Sequence, residues 1–119
     1  MSDTIQNWPL LTRELSAQLR NLRGGAPDVM KAFSAIAQAA LQPRALDTKT
    51  KELIALAIGV ATRCDGCVAF HTHDALRAGA TEAEIMETLG VAVLMGGGPS
   101  VMYATHVIEA MQEFQAGEA

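Results

Sequence analysis

Aromatic residues are scarce in this chain: one Trp, one Tyr and three Phe among 119 residues, or 4%. A β sandwich draws on Tyr, Phe, Thr and Val, whereas this alphabet of Ala, Leu, Ile, Val and Met predicts helices packed on helices. Charge is thin as well, at 18% of residues, with 9 Lys and Arg against 13 Asp and Glu and a formal net charge of -4. Without a basic excess or a Lys/Arg cluster, no nucleic-acid partner is expected. The longest apolar run, Leu53 to Ala61, is far short of the ~20 residues that cross a bilayer. Asp3, Arg13, Glu14, Arg20 and Arg23 leave no apolar stretch of signal-peptide length near the start. These absences predict a soluble, cytoplasmic protein that does not engage membranes. Alternation of polar and apolar residues is nowhere sustained, so no strands are expected.

What is present reads as one domain, residues 1–119, built as a compact all-α bundle of five to six helices. The first is expected from about Trp8 to Leu22, stopped by Gly24-Gly25, and the second from Pro27 to Ala40, broken by Pro43. An Asp47 or Thr48 cap opens a third that runs to about Thr62. Its centre is apolar on every side, as in a helix buried all round. A fourth begins near Cys64 or Asp65 and stops at Gly79. Thr81-Glu82-Ala83-Glu84 is a capping box for a fifth helix reaching Met95. Gly96-Gly97-Gly98 turns the chain, and Pro99 starts a last helix to about Phe114. The termini, to about Asn7 and from Ala116, are expected to fray. Half the residues are hydrophobic. A small domain so apolar should hide part of its surface in a homo-oligomer, and Met86, Met95, Met102 and Met111 read as core or interface filler.

The chemistry-bearing run is Cys64-Asp65-Gly66-Cys67-Val68-Ala69-Phe70-His71, with Glu52 upstream. Its two cysteines are the only ones in the chain, and at this spacing they can close a disulfide with little backbone movement. In a reducing compartment such a pair is catalytic or metal-binding rather than structural. On one helix Cys64, Cys67, His71 and Asp74 form a single stripe, which lets Cys67 and His71 share a hydrogen bond. A helix N-terminus and a nearby imidazolium both lower a thiol's pKa. Gly66 leaves room for a substrate beside the sulfurs. With straight helices Glu52 lies about 17 Å from the end of its helix and His71 about 10 Å along the return path. The difference suits a relay from Glu52 through a water to His71 and Cys67. A zinc site on Cys64, Cys67 and His71 needs a fourth ligand, and His73 lies off the stripe, so no metal is expected. His106 reads as a packed or surface residue and Asp74 as a surface acid.

With these residues assembled, the chain resembles the carboxymuconolactone decarboxylase family in its alkylhydroperoxidase D-like branch. The resemblance covers about Asp47 to Phe114. It rests on Lys51-Glu52-Leu53-Ile54-Ala55-Leu56-Ala57, on the Cys64–His71 run, on Ala75-Leu76-Arg77-Ala78-Gly79-Ala80 and on Gly96 to His106. Together they give Glu-x11-Cys-x2-Cys-x3-His followed by Gly-Gly-Gly-Pro. The resemblance implies helix pairs intertwined between subunits, as trimers or hexamers. It implies Cys67 as the peroxidatic nucleophile, Cys64 as the resolving thiol, His71 as the proton-handling base and Glu52 at the far end of the relay. One departure is Gly66, where the best-described peroxidase members carry a histidine.

The expected activity is thus a thiol-dependent peroxidase or disulfide reductase acting on hydroperoxides, in antioxidant defence. A thioredoxin-like or lipoyl-bearing dithiol protein would be its reductant. No flavin, haem or nucleotide motif is visible, so no cofactor is expected. Two rival readings are a carboxymuconolactone-type decarboxylase with His71 or His106 as base, and a non-catalytic thiol redox sensor.

Overall fold

Side chains that cap backbone N–H groups set the helix starts. In the computed structural model, which describes residues 7–118, the Asn7 side chain accepts from the Leu10 N–H and opens α1 (Trp8–Gly25). Pro27 then begins α2 (Pro27–Leu41), where its missing N–H costs nothing. The Asp47 carboxylate accepts from the Thr50 N–H at the head of α3 (Thr48–Ala61). Cys64 caps α4 (Asp65–Arg77), and the Thr81/Glu84 capping box opens α5 (Glu82–Gly96) in both of its hydrogen bonds. Gly97, at positive φ, turns the chain into α6 (Gly98–Glu118). The described residues hold six helices and no strand.

The expected all-α class and helix order stand, with small shifts at the ends. Gly24 and Gly25 form the last turn of α1 instead of stopping it. The last helix continues past Phe114 to Glu118, into the stretch from Ala116 expected to fray, and Ala119 lies outside the described residues. The fraying expected at the first residues lies outside the described ones.

The core gathers Leu56 and Val60 of α3, Val68 and Ala75 of α4, Ile85 and Leu89 of α5, and Val107 and Met111 of α6, with Trp8 of α1 wholly buried beside them. Helices α3 and α4 pack antiparallel, α5 and α6 close the other side, and α1 lies across α4 and α6. Trp8 is fastened at both of its N–H groups. Its backbone N–H donates to Glu113 Oε1 and its indole Nε1–H to Glu109 Oε1, each at 2.7 Å.

Within one chain helix α3 is not buried all round, because Ile54 and Ile58 are 46% and 58% exposed. Of the methionines read as core or interface filler, Met111 is core, while Met86, Met95 and Met102 lie on the surface of the single chain. Helix α2 has no buried residue at all and touches only α1 and α3.

Candidate active site

The α3–α4 connection decides where the site sits. After Ala61 the chain turns within Thr62, Arg63 and Cys64, with Arg63 in the left-handed region at φ 57°. The Cys64 N–H donates back to the Gly59 carbonyl at 3.0 Å. Gly59 then lies directly against Cys67: a Cβ placed on Gly59 would come within 2.8 Å of the Cys67 Cβ. Only glycine lets the two helices approach so closely at this level.

On that base the first turn of α4 carries a Cys64–Cys67 disulfide, with Cα atoms 5.2 Å apart. Cys64 is the N-cap residue, not part of the helical stripe, and its Sγ accepts the Cys67 N–H at 3.1 Å. A sulfur in that position keeps the stabilisation that unpaired N–H groups give a thiolate. Both cysteines are half-buried.

Glu52 and His71 meet without an intermediary. His71 Nδ1 lies 2.7 Å from Glu52 Oε1, and Glu52 is only 4% exposed. This corrects the water-bridged relay. The earlier distances ran from the helix ends, whereas the Gly59–Cys67 contact sets the register. From that contact Glu52 is about 10 Å back along α3 and His71 about 6 Å on along α4, a gap two side chains close directly. A buried carboxylate is costly without a partner, and His71 supplies one. With the carboxylate as acceptor, Nδ1 carries the proton and Nε2 is left as the basic nitrogen. Among the described residues no hydrogen bond joins His71 to either sulfur, so the expected Cys67–His71 bond is not formed in the disulfide state.

Asp74, one turn beyond His71, is half-exposed. Donor atoms of Glu52, His71 and Asp74 lie within 4.8 Å of one another, a spacing that could hold a cation. Two of those three groups are already engaged with each other.

Three features escaped the sequence reading. The room expected beside Gly66 is taken, since a Cβ there would lie 3.3 Å from Leu15 Cδ1 of α1. Tyr103 of α6 donates its hydroxyl to Asp65 at the start of α4, and this bond, with burial, holds the phenol above its ordinary pKa. His106 stacks between Tyr103 and Trp8, with ring centroids 4.5 and 5.6 Å away, and its Nδ1 lies 4.0 Å from Asp65 Oδ1. The His106 ring thus packs against two aromatic neighbours while its side chain stays 41% exposed. The half-buried Leu11, Leu15 and Leu19, four residues apart in sequence, were the one available signal that α1 turns an apolar face inward.

Residues 27–110 match the model of the carboxymuconolactone decarboxylase family. The chain belongs to that family. A crystal structure of a family member from Legionella pneumophila superposes with a TM-score of 0.87 at 48% identity, covering 90% of this chain and 96% of that one. A second family member, from Thermotoga maritima, superposes at 0.82 with 28% identity over 90% and 92% of the two chains. Among curated proteins, an uncharacterized protein of Cupriavidus necator is 42% identical over 95 residues, 80% of this chain and 84% of its own length. As a family member the chain shares its fold with enzymes, and it carries the cysteine pair in disulfide contact.

Proposed function

We propose that this carboxymuconolactone decarboxylase family member is a thiol-dependent peroxidase and disulfide reductase of the alkylhydroperoxidase D-like kind. The observation that carries the reading is the Cys64–Cys67 disulfide on the first turn of α4, one turn from a histidine hydrogen-bonded to a buried glutamate. The Thermotoga maritima relative, for which an antioxidative role has been suggested, is consistent with it.

In the oxidative half, His71 Nε2 takes the Cys67 proton while Glu52 stabilises the imidazolium at Nδ1. The Cys67 thiolate attacks the terminal peroxide oxygen and the O–O bond breaks. The departing alkoxide takes the proton back from His71 and leaves as alcohol. Cys67 is now a sulfenic acid. Cys64 loses its proton and attacks that sulfur, the S–O bond breaks, the departing hydroxide takes up the proton and leaves as water, and the disulfide forms. In the reductive half, a dithiol partner exchanges with that disulfide, becoming a disulfide itself and returning two thiols. Such a partner would be thioredoxin-like or lipoyl-bearing, and the setting a reducing cytoplasm.

The reading is tested by adding hydroperoxide in stoichiometric amounts to the reduced protein and counting thiols lost. Cys67→Ser should abolish peroxide consumption, and Cys64→Ser should trap a sulfenic acid that a selective probe labels. Undiminished turnover in the double Cys variant would end this assignment.

A further inference from the structure

Helix α1 lies outside residues 27–110, the span that matches the family model, yet its Leu15 reaches Gly66, between the two cysteines. Leu15 Cδ1 sits 3.3 Å from where a Cβ on Gly66 would be, and Gly66 is one of the two residues between the cysteines. The start of α1 is anchored by Trp8, wholly buried and bonded through both N–H groups to Glu109 and Glu113 of α6. Leu11, Leu15 and Leu19 form one half-buried apolar row on it. On the other side of the pair, Gly59 brings α3 against Cys67. The turn that carries the pair is thus bounded by α3 at Cys67 and by Leu15 of α1 at Gly66.

We infer that Leu15 is a specificity-determining residue: it closes the Gly66 flank of the Cys64–Cys67 pair and selects narrow reactants over wide ones. On the oxidising side these are hydrogen peroxide and slender primary alkyl hydroperoxides in preference to bulky tertiary ones. The inference rests on Cys64–Cys67 being the reacting pair. A side chain at position 66 would meet the Leu15 methyl at about 3.3 Å, so glycine there leaves Leu15 its place.

Two rate ratios test this. The first compares cumene hydroperoxide with hydrogen peroxide on the reduced protein, and the second compares reduced thioredoxin with dithiothreitol on the oxidised protein. Leu15→Ala should raise both ratios, by about tenfold, the discrimination that one or two methylene groups give in an apolar site. The rates with hydrogen peroxide and dithiothreitol should change less than those with the wide reactants. Leu15→Phe should lower both ratios, and Leu15→Val replaces the Ala variant if that one does not fold. A merely structural Leu15 would alter thermal stability and leave the ratios alone. Ratios unchanged in both the truncated and the enlarged variant overturn the inference. The thiol-exchange ratio needs no peroxide chemistry, so loss of the peroxidase assignment would be seen separately, as a wild-type protein that consumes no peroxide.

Discussion

Glu52 and His71 are joined by one 2.7 Å contact, and the reactivity proposed for Cys67 depends on its charge. Glu52→Gln keeps an oxygen to accept the Nδ1 proton but removes the anion that offsets an imidazolium. The rate with hydroperoxide should fall about 10²-fold, the scale of a lost acid–base contribution. Tyr103 offers a titration, being the only tyrosine in the chain. Its bond to Asp65 raises the phenol's pKa above the ordinary value of 10.0. The neutral phenol is the bonded form, so the stability it contributes is intact below that value and lost as pH rises through the higher folded-state one. The ultraviolet absorbance of phenolate should appear late in the native protein, and earlier in Asp65→Asn. These two sites also show what could be read in advance. Glu52, Cys64, Cys67 and His71 could be marked as candidates from their spacing on neighbouring helices, and the structure brings Glu52 against His71 and Cys64 against Cys67. Tyr103 and Asp65 are 38 residues apart, and Leu15 is apolar, so no local pattern marks either as part of the site. Both depend on how α1 and α6 dock on α4, a matter of tertiary packing.

Between elements, the α3–α4 crossing is the tightest joint of the site. Gly59→Ala would force a methyl group within 2.8 Å of the Cys67 Cβ, with helix backbone on both sides and no flexible side chain to yield. A loss of about 1 to 3 kcal/mol is expected from overpacking of this kind, measurable by urea unfolding. Displacing Cys67 should also slow disulfide formation from the reduced protein. At α5 the effect is purely local. Thr81→Ala removes half of the capping box and should cost about 1 kcal/mol with the thiol chemistry untouched. Helix starts were legible because Pro27, Asp47 and Thr81 each act within one turn of their own position. The end of α6 was not, since nothing in Gln115-Ala116-Gly117 forbids one further turn. Nor was the register of α3 on α4, which comes from the absent side chain of Gly59 and not from a helix end.

At the scale of the whole chain, the exposed apolar surface is the feature that one copy leaves unexplained. Val29, Phe33 and Ile36 on α2 are each more than 60% exposed, and their spacing places them along one side of the helix. Ile54 and Ile58 on α3, a turn apart, are likewise open. Patches of this kind are rare on monomeric proteins, and each apolar side chain removed from water contributes about 1.5 to 3 kcal/mol. The apolar centre of α3 was read as belonging to a helix buried all round. A pattern of hydrophobicity says that a face is covered without saying whether the cover is the same chain or another. We therefore expect a homo-oligomer in solution; the trimer or hexamer that the resemblance to the alkylhydroperoxidase D-like branch implies would have a mass by light scattering of three or six times the 12.6 kDa chain. Phe33→Asp and Ile58→Asp place charges where a partner would have to bury them. Either should lower the mass toward a single chain while circular dichroism retains its helical signal. Neither residue is in the wild-type core, so an unfolded variant would not be expected from the single chain alone. A wild-type protein that runs as one chain at micromolar concentration would show that these faces stay in water, and that the fold tolerates their exposure.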